Sequence, residues 1–217
     1  MSTPPSLLIK QFSALQHYEP TFAAMKQFTE QRDADEPDQL WLLQHYDVLT
    51  QGQAGKPEHI LLSPPDLPII QTDRGGQVTW HGKGQLVGYL MFDLNRLKWH
   101  VRDLVNFTEQ LLIDLLATYN LEAYAKKDAP GVYINEQKIA SLGFKIRKGC
   151  SYHGFALNID CNLQGFSCIN PCGFAGLQMI RLVDILENPP GFEQICQQIQ
   201  HLIEKRYIFS SINTGLV

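Results

Sequence analysis

Apolar residues recur at helical spacing in three stretches of this chain. Phe22, Met25 and Phe28 do so near 20–31, and Phe192, Ile195, Ile199, Leu202 and Ile203 do so over 191–206. The longest stripe, Val101, Leu104, Val105, Leu111, Leu112, Leu115 and Tyr119, predicts a helix over 101–119 with Asn120 at its end. Elsewhere the period shortens. Leu40 to Thr50 reads as one buried strand closing on a loop at Thr50-Gln51-Gly52-Gln53-Ala54-Gly55, and Leu86 to Phe92 as another. Asp33 to Asp38 reads as an acidic loop, and Ile60-Leu61-Leu62 and Ile69-Ile70 bracket a Pro-rich connection.

Four strand-like pieces follow the long helix, at 121–126, 131–135, 138–147 and 151–160. Asp128-Ala129-Pro130-Gly131, Asn135-Glu136-Gln137 and Lys148-Gly149 serve as their turns. Connections this short force antiparallel neighbours, because parallel strands need a crossover. The expected fold is α/β (α+β): a mixed, largely antiparallel sheet flanked by helices, with residues 1–217 forming one domain.

Alternation within 138–147 puts Lys138, Ala140, Leu142, Phe144 and Ile146 on one face and Ser141, Lys145 and Arg147 on the other. On the apolar face, desolvation disfavours the Lys138 ammonium. Two alternatives stay open: Lys138 begins the strand and reaches water, or a bulge at Gly143 resets the parity. Cys172 stands in Ile169-Asn170-Pro171-Cys172-Gly173, a turn-forming setting that exposes and aims a thiol. A thiolate nucleophile needs a neighbouring cation or base, and a partly desolvated lysine supplies one. A lone cysteine is otherwise a small apolar side chain. Cys150 with His153 forms a weaker rival pair.

Glycines punctuate Asp73-Arg74-Gly75-Gly76-Gln77-Val78-Thr79-Trp80-His81-Gly82-Lys83-Gly84-Gln85, so the backbone there can approach a ligand closely. The segment is neither a Walker loop nor a dinucleotide fingerprint. It can equally be a Gly-rich hairpin with a satisfied histidine. In Tyr152-His153-Gly154-Phe155-Ala156 the small residues leave a strip where an alkyl chain could lie, or where a helix could pack closely.

Composition narrows the classes. The chain is 44% hydrophobic and 18% charged with a net charge of -4, which fits a globular protein and opposes broad nucleic-acid binding. No apolar run reaches the roughly 20 residues of a membrane span, and Met1-Ser2-Thr3-Pro4-Pro5 lacks the features of a leader. Five unevenly spaced cysteines suggest reduced thiols and a cytoplasmic location. Cys168 and Cys172 lack a second ligand pair nearby, so no metal is expected.

Taken together, these motifs resemble the lipoyl(octanoyl) transferase family. The likeness runs through Thr50-Gln51-Gly52, Arg74-Gly75-Gly76-Gln77-Val78-Thr79-Trp80-His81, Asp128-Ala129-Pro130-Gly131-Val132-Tyr133, Lys138-Ile139-Ala140-Ser141-Leu142-Gly143, His153-Gly154 and Ile169-Asn170-Pro171-Cys172-Gly173. Lys83 departs from it, since the family commonly has proline there. The resemblance implies a catalytic core like that of biotin and lipoate protein ligases. It also implies transfer of an octanoyl group from acyl carrier protein, through a Cys172 thioester with Lys138 as general base, to a lysine of lipoyl domains. The acceptors would be 2-oxoacid dehydrogenases and the glycine cleavage H protein.

In the family, substrate-binding stretches fall on Arg74, Gly75, Gly76, Gln77, Val78, Thr79, Trp80 and His81, on Ser141, Leu142 and Gly143, and on Gly154, Phe155 and Ala156. No cofactor or metal is implied, nor a nucleic-acid or membrane partner, and nothing demands more than a monomer. An ATP-dependent lipoate ligase, an octanoyl amidotransferase and a non-enzymatic binding module are the competing readings. Lys126, Lys127, Lys145, Arg147 and Lys148 are candidates for a basic rim facing acidic partners.

Overall fold

The structure, a computed structural model, describes residues 5–206, Phe209 and residues 211–217. Met1-Ser2-Thr3-Pro4, most of the stretch read above for a leader, lies outside the described residues. In chain order the elements are β1 (Ser6–Gln11), α1 (Tyr18–Gln31), β2 (Asp38–Leu43), β3 (Val48–Gln51), β4 (Ile69–Gln71), β5 (Val78–His81) and β6 (Gln85–Met91). Then come α2 (Leu94–Leu97), α3 (Val101–Ala117), β7 (Tyr124–Lys126), β8 (Ala129–Ile134), β9 (Gln137–Arg147) and β10 (Cys150–Asn158). The last elements are α4 (Gln164–Ser167), α5 (Phe192–Arg206) and β11 (Ser211–Leu216).

Eight strands form one sheet in the order β11-β1-β2-β6-β10-β9-β8-β7. β1 runs parallel to both β11 and β2, and every other pairing in this sheet is antiparallel. The mixed, largely antiparallel sheet flanked by helices is therefore the one expected. A second sheet, β4-β3-β5, stands beside it.

Burial on both faces explains the apolar runs of the central strands. Leu40 and Leu42 of β2, with Leu86 and Leu90 of β6, join Leu104, Leu111, Leu112, Leu115, Ile195 and Ile199 in the core under α3 and α5. The alternate positions Trp41, Leu43, Val87, Tyr89 and Met91 pack with Met25 of α1 on the opposite face. Each fully buried Leu contributes at most about 1.5–3 kcal/mol. The α3 start is fixed by Asp103, whose carboxylate accepts the His100 N–H at 2.7 Å. Its end follows at Asn120, in the left-handed region with φ 58°.

Three expectations change. Leu40 to Thr50 is not one strand: Gln44 to Asp47 break it, sending β2 to the large sheet and β3 to the small one. The break is pinned by buried His45, which bonds the Gln16 carbonyl at 2.9 Å and the Tyr89 hydroxyl at 2.7 Å. Asp38 is no loop residue. It starts β2 fully buried, accepting from Arg32 at 2.9 Å and Arg96 at 2.7 Å. Finally, the segment before Gly82 contains a strand, β5, whose four residues are all buried.

Candidate functional site

Lys138 and Cys172, 34 positions apart, meet. The Lys138 Nζ donates to Cys172 Sγ at 3.2 Å and to the Pro130 carbonyl at 2.9 Å. Lys138 is 2% exposed, so its ammonium does not reach water. The parity reset lies beside Lys138 and not at Gly143. β8 pairs Val132 with Ala140 but Tyr133 with Lys138, leaving Ile139 as the extra residue. β9 and β10 meanwhile stay in register from Arg147 to Ala140.

The lysine backbone is held on its other edge as well. Its N–H donates to the Gln178 carbonyl at 2.8 Å, and its carbonyl accepts the Ile180 N–H at 3.1 Å. Gly131 makes the room. A Cβ there would lie 2.4 Å from Lys138 Cε, and its φ of 143° also favours glycine.

Cys172 occupies the single turn Pro171–Gly173, with φ 56° and ψ 16°, an uncommon conformation for a side-chain-bearing residue. The approach is anchored by the Asn170 N–H on the His59 carbonyl at 2.8 Å. Cys172 is the one cysteine not buried, and none of the five is bridged. Burial pushes the Cys161 and Cys196 thiols up to about 12 and raises that of Cys150, which keeps them protonated. Cys150 and His153 do not form a pair: the His153 Nε2 lies 3.0 Å from Asp73 Oδ1.

Around the pair is a cavity of about 330 Å³, within the ~300–1,000 Å³ range of small-molecule sites. Arg74, Gly75, Gly76, Gln77, Val78, Thr79 and His81 line it from β5 and the preceding loop. Ser141, Leu142 and Gly143 line it from β9, and Gly154, Phe155 and Ala156 from β10. Trp80 alone among the expected substrate-binding residues does not. Its indole is buried in the small-sheet core, with ring centroids 5.4 Å from Phe166. Lys83 is exposed on the turn between β5 and β6.

Arg74 is buried. It donates through Nη2 to the Thr50 carbonyl at 2.6 Å, through Nε to Thr50 Oγ1 at 3.3 Å and through Nη1 to the Gly75 carbonyl at 2.9 Å. Among the described residues it makes no ion pair. Glycines 52, 76 and 143 surround Nη1. Added Cβ atoms at these positions would lie 2.8, 3.5 and 3.8 Å from it. The motif glycines thus make space for a guanidinium. Gly154 has another cause, because a Cβ would come within 2.0 Å of the Gly88 carbonyl. The close neighbour is a strand, β6, and not a helix.

His81 is the satisfied histidine of the Gly-rich reading as well as a wall of the cavity. Its Nδ1 lies 2.7 Å from Gln85 Oε1, whose amide donates to Asn158 at 2.9 Å. Burial holds His81 down at about 3 and His45 at about 4, so both rings are neutral near pH 7. Burial pushes the Asp73 carboxyl up, but hydrogen bonds from His153 and from the Tyr152 hydroxyl at 2.6 Å outweigh it and hold Asp73 at about 2.

Sequence reasoning missed the wall residues Tyr18, Tyr89, Val101, Val105 and Phe174. No motif marks the two tyrosines, whereas Val101 and Val105 lie within the 101–119 periodicity as ordinary stripe positions. The basic rim is partly neutralised. Arg147 pairs with Glu30 at 3.2 Å and Lys126 with Glu136 at 2.7 Å, while Lys145 makes no ion pair among the described residues.

Comparison with known proteins gives concordant results. Residues 17–204 match the family described as lipoyl protein ligase A/B catalytic domain. An octanoyltransferase from Acinetobacter baylyi is 61% identical over 98% of this chain and 96% of its own length. One from Ectopseudomonas mendocina is 52% identical over 93% of this chain and 98% of its own. Among solved structures, a putative lipoate protein ligase from T. acidophilum with bound lipoic acid is similar in fold, with a TM-score of 0.74 and 11% identity. That match covers 100% of this chain and 90% of the other.

Proposed function

This chain belongs to the lipoyl protein ligase A/B catalytic-domain family and groups with its octanoyltransferases, and from that premise we propose that it moves an octanoyl group from acyl carrier protein to a lysine of lipoyl domains. The observation that carries the reading is the buried Lys138 Nζ, 3.2 Å from Cys172 Sγ at the wall of the cavity. In this reading residues 1–217 act as one catalytic domain, a monomer in the cytoplasm. Among the described residues no helix is long and apolar enough to cross a membrane.

The chemistry proceeds in two displacements. Lys138 takes the Cys172 proton, and the thiolate attacks the octanoyl thioester carbonyl of the donor. Collapse of the tetrahedral intermediate expels the phosphopantetheine sulfur, which recovers a proton from Lys138. The acyl group then sits on Cys172, with the apolar wall of Val78, Leu142, Phe144 and Phe155 limiting water. The ε-amine of an acceptor lysine attacks next. Lys138 removes its proton, the amide forms, and Cys172 leaves as the thiolate. Conversion of a thioester to an amide is downhill, so the transfer needs no ATP.

Arg74 places a buried positive charge in the same cavity, suited to steadying negative charge on the carbonyl oxygen. Gly75, Gly76, Gln77, Val78, Thr79 and His81, with Ser141 to Gly143 and Gly154 to Ala156, would shape the acyl site. Trp80 would support it from behind. The acceptors would be lipoyl domains of 2-oxoacid dehydrogenases and the glycine cleavage H protein.

Mass spectrometry after mixing with octanoyl-acyl carrier protein tests the reading. An octanoyl adduct is expected on Cys172, absent in Cys172→Ser and slowed roughly 10²–10⁴-fold in Lys138→Ala. An octanoylated lipoyl domain offered as donor should be inert. Acylation from that domain would instead indicate an amidotransferase, and activity requiring ATP and free octanoate a ligase.

A further inference from the structure

We infer that Glu109 of α3 is a positioning residue for the Lys138–Cys172 pair, acting on the lysine through the Pro130–Gly131 peptide. Glu109 is the one charged residue among the buried positions of α3 and is 8% exposed. Among the described residues it makes no ion pair. Burying a carboxyl group without an ion-pair partner is costly, so its surroundings need an explanation.

The explanation is one peptide long. Glu109 Oε1 accepts the Gly131 N–H at 3.0 Å. The carbonyl of that same peptide, Pro130 O, accepts Lys138 Nζ at 2.9 Å, and Nζ also donates to Cys172 Sγ at 3.2 Å. N–H and C=O of one peptide are joined by a planar, conjugated bond. A carboxylate on the N–H side makes the carbonyl oxygen a better acceptor, and hydrogen bonds in such a chain strengthen one another. The series runs from the Glu109 carboxyl through one peptide to the Lys138 Nζ and on to the Cys172 sulfur, and it fixes Nζ where it meets that sulfur.

Other groups face Lys138 too. Tyr133 of β8 places its ring centroid 5.5 Å from Nζ, and Lys126 of β7 lies 4.5 Å from the same ring. Lys126 is itself paired with Glu136. Asp128 and Arg74 line the cavity that Lys138 and Cys172 share. Of these, Glu109 alone is bonded to the peptide that receives Nζ.

The inference rests on the acyl-transfer reading above, and its test separates the two. Single-turnover acylation of Cys172 by octanoyl-acyl carrier protein is followed by intact mass across roughly pH 6–10 for the full chain and for Glu109→Gln. The glutamine oxygen can still accept from Gly131, so shape is kept and charge removed. Losing that charge makes the Pro130 carbonyl a weaker acceptor for the Lys138 Nζ, and so loosens the hold on the amine. The alkaline limb of the rate profile should therefore lie at lower pH in Glu109→Gln than in the full chain. KM for the carrier protein should be unchanged. Glu109→Asp, which keeps the charge but draws it back, should lie between the two. It carries the test if thermal unfolding shows the glutamine variant to be unfolded at the assay temperature. Superimposed limbs, or an equal loss at every pH, overturn the inference. Absence of any Cys172 adduct in the unsubstituted chain instead overturns the transfer reading itself.

Discussion

Adding one methyl group at Gly131 should disable the reacting pair without touching either member. An alanine Cβ there would lie 2.4 Å from Lys138 Cε, 3.0 Å from Nζ and 2.6 Å from the Ala140 carbonyl. The carbonyl belongs to the β8–β9 ladder and cannot yield cheaply. The lysine can yield, but only by withdrawing from the sulfur it contacts at 3.2 Å. The backbone suffers as well, since φ is 143° at Gly131 and such strain costs about 1–3 kcal/mol for a residue with a side chain. For a chain of this size each kcal/mol lowers Tm by about 2–4 °C, so a fall of roughly 2–12 °C is expected. Losing the proton-transfer group should slow Cys172 acylation about 10²–10⁴-fold. The assay is the rate of octanoyl adduct formation by intact mass, held well below the variant's Tm. Gly191→Ala is the control, because no heavy atom lies within 4 Å of a Cβ there. Wild-type acylation by Gly131→Ala would refute the claim that Gly131 exists to seat Lys138.

Two further outcomes follow from the same geometry. Asp73 is held at about 2 in the folded state, below its ordinary value, so its stabilisation is complete above about pH 4 and is lost as pH falls toward 2. Solvent screening at this part-exposed carboxylate reduces the cost of Asp73→Asn to about 1 kcal/mol at pH 7, and the deficit relative to the wild type should close between those pH values in denaturant titrations; a deficit independent of pH would contradict this. Charge reversal at Lys145 and Lys148 should slow association with an acidic carrier protein at low ionic strength, and the difference should vanish as salt shortens the screening length from about 10 Å toward 3 Å. Stopped-flow rates unchanged by the reversal would remove these lysines from the docking surface.

The parts of the fold that were legible are those in which one sequence period persists over several turns. The α3 and α5 stripes gave helices at nearly the right bounds, and the hairpins of β7 to β10 followed from their short turns. β1 and β11 were missed for opposite reasons. Ser6–Gln11 is short and takes its place only through parallel pairing with distant chain, while Ser211–Leu216 is mostly exposed and sets only Ile212 against the core. β5 was hidden by the glycines around it.

The site divides similarly. That Cys172 is aimed could be read from its Pro and Gly neighbours, but its distance from Lys138 could not. The parity that put Lys138 on the apolar face gave a buried lysine for an incomplete reason, since Ile139 resets the alternation at that point. Glu109 had no signal at all. A single acid in a leucine stripe looks like a surface position until the strand beneath it is in place.

The tether between the His59 carbonyl and the Asn170 N–H has a consequence for redesign. Residues 59–62 also form a bridge through Ile60 and Ile169, and both Leu61 and Leu62 donate to the Cys168 carbonyl. Trimming or grafting the connection between β3 and β4, normally a forgiving edit in a surface loop, would here swing the sulfur off its target. Chimaeras between relatives should therefore exchange 59–62 and 168–173 as one cassette.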